Sequence, residues 1–100
     1  MSVIISLSIF PIDKGESVCS YVARAIKIIK ESGLEYDFGP MSTSMEGEWD
    51  DVMAVVNRCF EDLKKDCDRI YLNISADYRK GAPGRIKRKV VSVQKKIEPQ

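Results

Sequence analysis

The sequence predicts an α+β fold: a ferredoxin-like βαββαβ sandwich with an additional C-terminal helix, spanning residues 1–100 as a single domain. Three observations carry this reading. Apolar residues alternate with a period of two in one early and one late segment, two segments between them show helical apolar spacing, and the element order is that of the split βαβ repeat.

Val3, Ile5, Leu7 and Ile9 alternate with Ile4, Ser6, Ser8 and Phe10, which sets one apolar row on a core and a mixed row on the opposite face. Pro11, Asp13 and Gly15 end this first strand. Ser17 is placed to cap a helix in which Val18, Val22, Ala25, Ile26 and Ile29 recur at helical spacing, until Gly33 supplies a left-handed stop. Tyr36 to Phe38 is short and extended. Gly39-Pro40 punctuates it, and Met41, Thr43 and Met45 then alternate with Ser42, Ser44 and Glu46, giving two strands in a hairpin-like connection. Asp50 and Asp51 favour a helix N-terminus electrostatically, and Val52, Val55, Val56, Cys59 and Leu63 form one apolar stripe of a second helix. Ile70, Leu72, Ile74 and Ala76 alternate with Tyr71, Asn73, Ser75 and Asp77 in a fourth strand, and Arg79 to Gly84 is a basic loop containing Gly and Pro. Ile86, Val90, Val93 and Ile97 then mark a third helix with a narrow apolar seam.

In a ferredoxin-like sheet the first and fourth strands are neighbours, with the third strand on the other side of the first. The mixed rows then share one open face, built from Ile4, Ser6, Ser8 and Phe10, from Ser42, Ser44 and Glu46, and from Tyr71, Asn73, Ser75 and Asp77. That face is too polar for a second core and too rich in Ile, Phe and Tyr to be simply solvated. A partner sheet from a second copy, a ligand held between copies, or the third helix folded back could each cover it. Glu46, Asn73 and Asp77 offer directional donors and acceptors to a small polar ring, and Tyr or Trp offers a stacking surface. Trp49 either staples the start of the second helix or lines a pocket.

Composition narrows the chemistry. The chain has 16 Lys plus Arg against 15 Asp plus Glu, three Cys and no His. Without an imidazole there is no Ser-His or Cys-His nucleophile pair and no His-containing zinc site, so no catalytic residue and no enzyme activity are expected. Cys19, Cys59 and Cys67 have neither zinc-ribbon nor redox spacing and read as reduced, small hydrophobes. No cofactor and no metal are expected. Glu46, Glu48, Asp50 and Asp51 form a dense carboxylate group, but one without the spacing of a calcium loop, and a strand end running into a helix start accounts for it. No apolar run approaches the length of a membrane span, and the N-terminus lacks the charge pattern and cleavage site of a signal peptide, so a cytoplasmic protein is expected.

Charge is segregated along the chain. Residues 79–97 carry eight cations and no acid, and residues 1–78 sum to −6. A basic helix behind a Gly-containing loop can seat phosphate or follow a nucleic-acid backbone. It can equally form a solvated or intersubunit face against the acidic Glu46 to Asp51 stretch. The loop lacks the Gly-Lys-Ser or Gly-Lys-Thr ending of a Walker sequence, and no aromatic RNA-binding signature accompanies it.

Several runs together resemble one family. These are Pro11-Ile12-Asp13 with Ser17-Val18 and Ser20-Tyr21-Val22-Ala23, Met41-Ser42-Thr43 with Glu46-Gly47-Glu48, and Asp77-Tyr78-Arg79 before Lys89-Val90-Val91-Ser92-Val93. The chain resembles, over almost its whole length, the thiamine-binding-like family of small ferredoxin-like proteins, most specifically at Glu46 to Met53. The resemblance implies homodimers or homotetramers joined through sheet faces, and binding of thiamine or its hydroxymethylpyrimidine portion without turnover. Carried onto this chain, it points to Ser20 and Tyr21 on the first helix, Thr43 and Glu46 in the central strand, and Asp77 and Arg79 at the end of the fourth strand. Asn73 joins them on its own chemistry. Ser42 stands where relatives often have Gly, which narrows the space there. The alternative reading is a nucleic-acid or phosphorylated-partner binding module using Arg79 to Lys96.

Overall fold

The computed structural model describes residues 2–80 and 84–97, with the side chain of Arg85 left aside. Its elements run β1 (Ser2–Pro11), α1 (Cys19–Glu31), β2 (Glu35–Phe38), β3 (Thr43–Gly47), α2 (Trp49–Lys64), β4 (Ile70–Arg79) and α3 (Arg85–Ile97). The four strands form one sheet in the order β2-β3-β1-β4, and every neighbouring pair is antiparallel. This mixed α+β arrangement is consistent with a ferredoxin-like fold.

The period of two in β1 decides which face is filled. Val3, Ile5, Leu7 and Ile9 are buried with Met45 of β3 against Ala25 and Ile29 of α1 and Val52, Val55, Val56, Cys59 and Leu63 of α2. Burying such side chains stabilises by about 1.5–3 kcal/mol each relative to leaving them exposed, which binds both helices to one side of the sheet. β4 is less covered. Ile70 and Ile74 are half-buried, while Leu72 and Ala76 on the same face are exposed because β4 is the edge strand.

The helix boundaries follow local chemistry, with one correction. Ser17 does not cap α1. Val18 occupies the N-cap position, no side chain caps the helix, and the Tyr21 and Val22 amides both donate to the Val18 carbonyl. The end is as expected: Gly33, at φ 79°, adopts the left-handed conformation just beyond α1. Asp50 and Asp51 stand in the first turn of α2, where they complement the helix dipole.

β3 starts at Thr43 rather than Met41. The Gly39 amide donates to the Ser42 carbonyl at 3.0 Å, which closes the turn, and a Cβ on Gly39 would meet that oxygen at 2.8 Å. Met41 therefore lies on the turn, 87% exposed. Trp49, at the first position of α2, is exposed. β1 and β4 each run longer than the alternation suggested, because Pro11 pairs with Ile70 and Ser2 with Arg79. Residues 81–83 of the predicted basic loop lie outside the described residues.

A clamp joins the helices. The Arg24 guanidinium donates to Asp62 Oδ2 at 3.0 Å, to the Asp62 carbonyl at 2.8 Å and to Asp66 Oδ2 at 2.9 Å, and lies over the Tyr21 ring. Hydrogen bonding to Arg24 holds the Asp66 carboxyl below its ordinary value, and the same bonds raise the guanidinium. Among the described residues no helix is long and apolar enough to cross a membrane.

Candidate functional site

Register determines what the open face presents, because residues directly opposite in a sheet point the same way. Glu35, Glu46, Ile4 and Asp77 form one row across β2, β3, β1 and β4. Asp37, Ser44, Ser6 and Ser75 form the next row, followed by Ser8 with Asn73 and then Phe10 with Tyr71. The face thus grades from acidic, through hydroxyl, to aromatic.

The acidic end is where α3 begins. Glu46 is only 4% exposed. Ser2 Oγ donates to Oε2 at 3.1 Å, and the Ile86 amide donates to Oε1 at 3.4 Å. The first amides of a helix have no intrahelical acceptor, so a carboxylate there satisfies a donor and complements the dipole. Lys87 Nζ lies 3.9 Å from Glu35 Oε1, and Lys89 Nζ donates to Asp77 Oδ2 at 2.5 Å. The start of α3 is therefore tied to the acidic row from three strands. From Lys87 to Ile97 every residue is exposed, including Val90, Val91, Val93 and Ile97. Of the three covers considered for the open face, the folded-back helix is present, over the acidic end.

The hydroxyl and aromatic zones remain more open. Ser6 Oγ donates to Ser42 Oγ at 2.9 Å, so the Ser42 side chain occupies the space a Gly would leave. Ser8 Oγ donates to the Met41 carbonyl at 2.9 Å. The Phe10 and Tyr71 rings lie 5.3 Å apart, tilted by 30°, within the range of favourable aromatic pairing. Asn73, exposed beside them, carries an amide that can both donate and accept.

The predicted site residues divide between the two sides of the sheet. Glu46, Asn73, Asp77 and Arg79 share the open face. Thr43 stands opposite Leu7 and is buried on the helix side, while Ser20 and Tyr21 belong to α1, Ser20 exposed and Tyr21 packed against the core. Even the open-face set is spread out: at about 4.8 Å per strand and about 3.3 Å per residue, Glu46 and Asn73 are roughly 16 Å apart. One pyrimidine ring cannot touch both in a single protomer.

The sequence did not show Glu35 as part of this face, nor the pairing of Lys87 with Glu35, of Lys89 with Asp77 and of Phe10 with Tyr71. The register of β2 against β3, with the return of α3 to the sheet, is the signal that joins them. Among the described residues no group of three or more His, Cys, Asp or Glu side chains is placed to hold a metal ion. Cys59 and Cys67 are buried, and burial pushes the Cys59 thiol up to about 11 and raises that of Cys67.

Comparison with known proteins gives a consistent result. A family model described as thiamine-binding protein matches residues 5–94. A UPF0045 protein of Mycobacterium bovis is 35% identical over 96 residues, covering 95% of this chain and 94% of that protein. The crystal structure of a hypothetical protein from Methanocaldococcus jannaschii superposes with a TM-score of 0.85 at 30% identity, covering 93% of this chain and 96% of that one. A Thermotoga maritima protein, proposed to serve thiamine biosynthesis or salvage, superposes with a TM-score of 0.82 at 28% identity, covering 93% and 99% of the two chains.

Proposed function

This chain belongs to the thiamine-binding protein family, and we propose that it binds thiamine or its hydroxymethylpyrimidine portion, without turnover, on the open face of a ferredoxin-like sheet. The observation that carries the reading is the Phe10–Tyr71 pair beside Asn73, Ser8 and Ser75 on that face. An aromatic surface next to an amide and hydroxyls suits an aminopyrimidine, which stacks through its ring and exchanges hydrogen bonds along its edge. At the far end Glu46 anchors α3, and Asp77 and Arg79 supply charged groups for the polar remainder of a ligand. A thiazolium cation is further favoured by carboxylates and aromatic faces. None of these contacts needs a catalytic base, in keeping with a chain that has no His.

The protein acts in this reading as a carrier, buffer or sensor. It works as a homo-oligomer, with Ser20, Tyr21 and Thr43 in supporting or assembly positions rather than on the ligand face. Its three free cysteines suit a reducing, cytoplasmic setting.

Isothermal titration with thiamine and with hydroxymethylpyrimidine tests the proposal. Saturable heat with either ligand supports it, and the stronger ligand tells which half of the vitamin is read. No heat from folded protein contradicts it.

The second reading is a nucleic-acid or phosphorylated partner held by the basic α3. It is supported by the exposed Lys95 and Lys96, and weakened by the engagement of Lys87 and Lys89 with Glu35 and Asp77. Binding that falls steeply with added salt favours it, because phosphate contacts release counterions.

A further inference from the structure

We propose that α3 is the docking surface for an acidic amphipathic helix of a partner protein, which packs along the seam of Ile86, Val90, Val93 and Ile97 and sets carboxylates against the flanking lysines. These residues follow one another at spacings of four, three and four, the heptad spacing of a two-helix seam, and fall within about 60° of arc around the helix. The positions on either side of such a seam select the partner by charge. Here they hold Lys87, Lys89, Gln94 and Lys96, and α3 carries no Asp or Glu from Arg85 to Ile97.

The first turn of α3 already docks in this manner. Ile86 is half-buried, Lys87 pairs with Glu35 of β2, and Lys89 pairs with Asp77 of β4. Ile86 lies between those two lysines around the helix, so an apolar residue meets a surface whose carboxylates stand on both sides of it. Beyond this turn the seam loses its cover. Val90 is 47% exposed, Val93 58% and Ile97 74%, and Lys96 beside them is exposed too. The apolar row with cationic flanks thus continues past the acidic surface that matches it at its start.

Width and charge select the occupant. A helix that lies in a membrane interface presents a broad apolar face with Trp, Phe or Leu, whereas this seam is narrow and made of Val and Ile. Nucleic acid is held through its phosphates and needs no apolar row. A second α3 laid on the first offers no counter-charge in any register, since the helix has no acid, and the acidic row of a second copy is engaged by that copy's own α3. A helix with apolar residues at heptad spacing and Glu or Asp beside them covers Val90, Val93 and Ile97 and pairs with Lys96, and its charge fixes the register and speeds encounter. This partner surface is independent of the ligand reading above.

The probe is a synthetic three-heptad peptide with Ile and Leu in its seam and Glu in every flanking position, labelled for fluorescence anisotropy and titrated with the full-length protein. It should bind saturably with a Kd below about 100 µM. A peptide with Lys in the flanking positions, or with Ser in the seam, should bind at least tenfold more weakly. Val93→Asp should weaken binding of the Glu peptide at least tenfold and Lys96→Glu several-fold, both with unchanged circular dichroism spectra because both side chains are exposed. Equal binding of the Ser-seam peptide reveals a surface for any polyanion and overturns the proposal. So does sedimentation with phosphatidylglycerol vesicles that Val93→Asp abolishes while the Glu peptide does not bind, which assigns the seam to lipid. A wild-type oligomer that Val93→Asp dissociates assigns the seam to a second copy and overturns it as well, as does folded wild type that binds no peptide.

Discussion

The Ile86 amide donates to Glu46 Oε1 at 3.4 Å, so a carboxylate near the end of β3 sits at the N-terminal end of α3 and ties the C-terminal helix to the open face. Buried to 4% exposure, Glu46 couples the edge of the proposed ligand surface to the placement of that helix.

Replacing Glu46 by Gln keeps an acceptor and removes the charge that the helix dipole favours. The expected loss is about 1 kcal/mol, seen as roughly fivefold faster hydrogen exchange at Ile86 and its neighbours. Exchange unchanged from wild type would show that the Glu46 charge does not hold α3.

The fold was largely legible in the sequence because β1 and α2 each declare one face. Val3, Ile5, Leu7 and Ile9 alternate without a break, and Val52 to Leu63 keep one stripe. The open-face rows were legible too, since parity alone assigns Ser44, Glu46, Asn73 and Asp77 to the same side. What the sequence does not carry is distance along that face: Glu46 and Asn73 belong to different strands and different rows, and only the register shows how far apart they lie. The return of α3 was one of three covers that the sequence left open. Its contacts run from Lys87 to Glu35 and from Lys89 to Asp77, pairs that no local spacing connects. Ser17 illustrates the limit of capping rules, because a chain can enter a helix one residue later when the next carbonyl accepts the first amides.

The Arg24 clamp predicts a pH effect. The Asp66 carboxyl lies below its ordinary value of 3.8 in the folded chain because Arg24 hydrogen-bonds it, and the Asp68 amide does the same for Asp13. The stability these groups contribute is fully present above the unfolded value and is lost as pH falls through the folded one. Urea midpoints of the wild type should therefore fall between pH 5 and about pH 2 by more than those of Arg24→Met. Equal losses in the two proteins would contradict the clamp.

The three thiols should separate by accessibility. Cys19 is exposed, whereas Cys59 and Cys67 are buried and their thiols are raised by burial. Ellman's reagent should titrate one thiol quickly in the native protein and the other two only on unfolding. Two fast thiols would show that the α2 end of the core opens readily.

Stability and ligand binding should respond to different residues. Leu63 is fully buried, and Leu63→Ala should cost about 2–5 kcal/mol in chemical denaturation. Asn73 is exposed, and Asn73→Ala should change stability by no more than about 0.5 kcal/mol while weakening thiamine binding several-fold or more. An Asn73→Ala protein that binds as wild type does would remove this amide from the site.

In the proposed function the ligand lies on the open face of the sheet. Amide chemical-shift mapping during titration with hydroxymethylpyrimidine tests it most directly, since it reports location as well as binding. The largest shifts are expected at Ser6, Ser8, Tyr71, Asn73 and Ser75. Shifts confined to α1 and α2, or none at all at millimolar ligand, would contradict it.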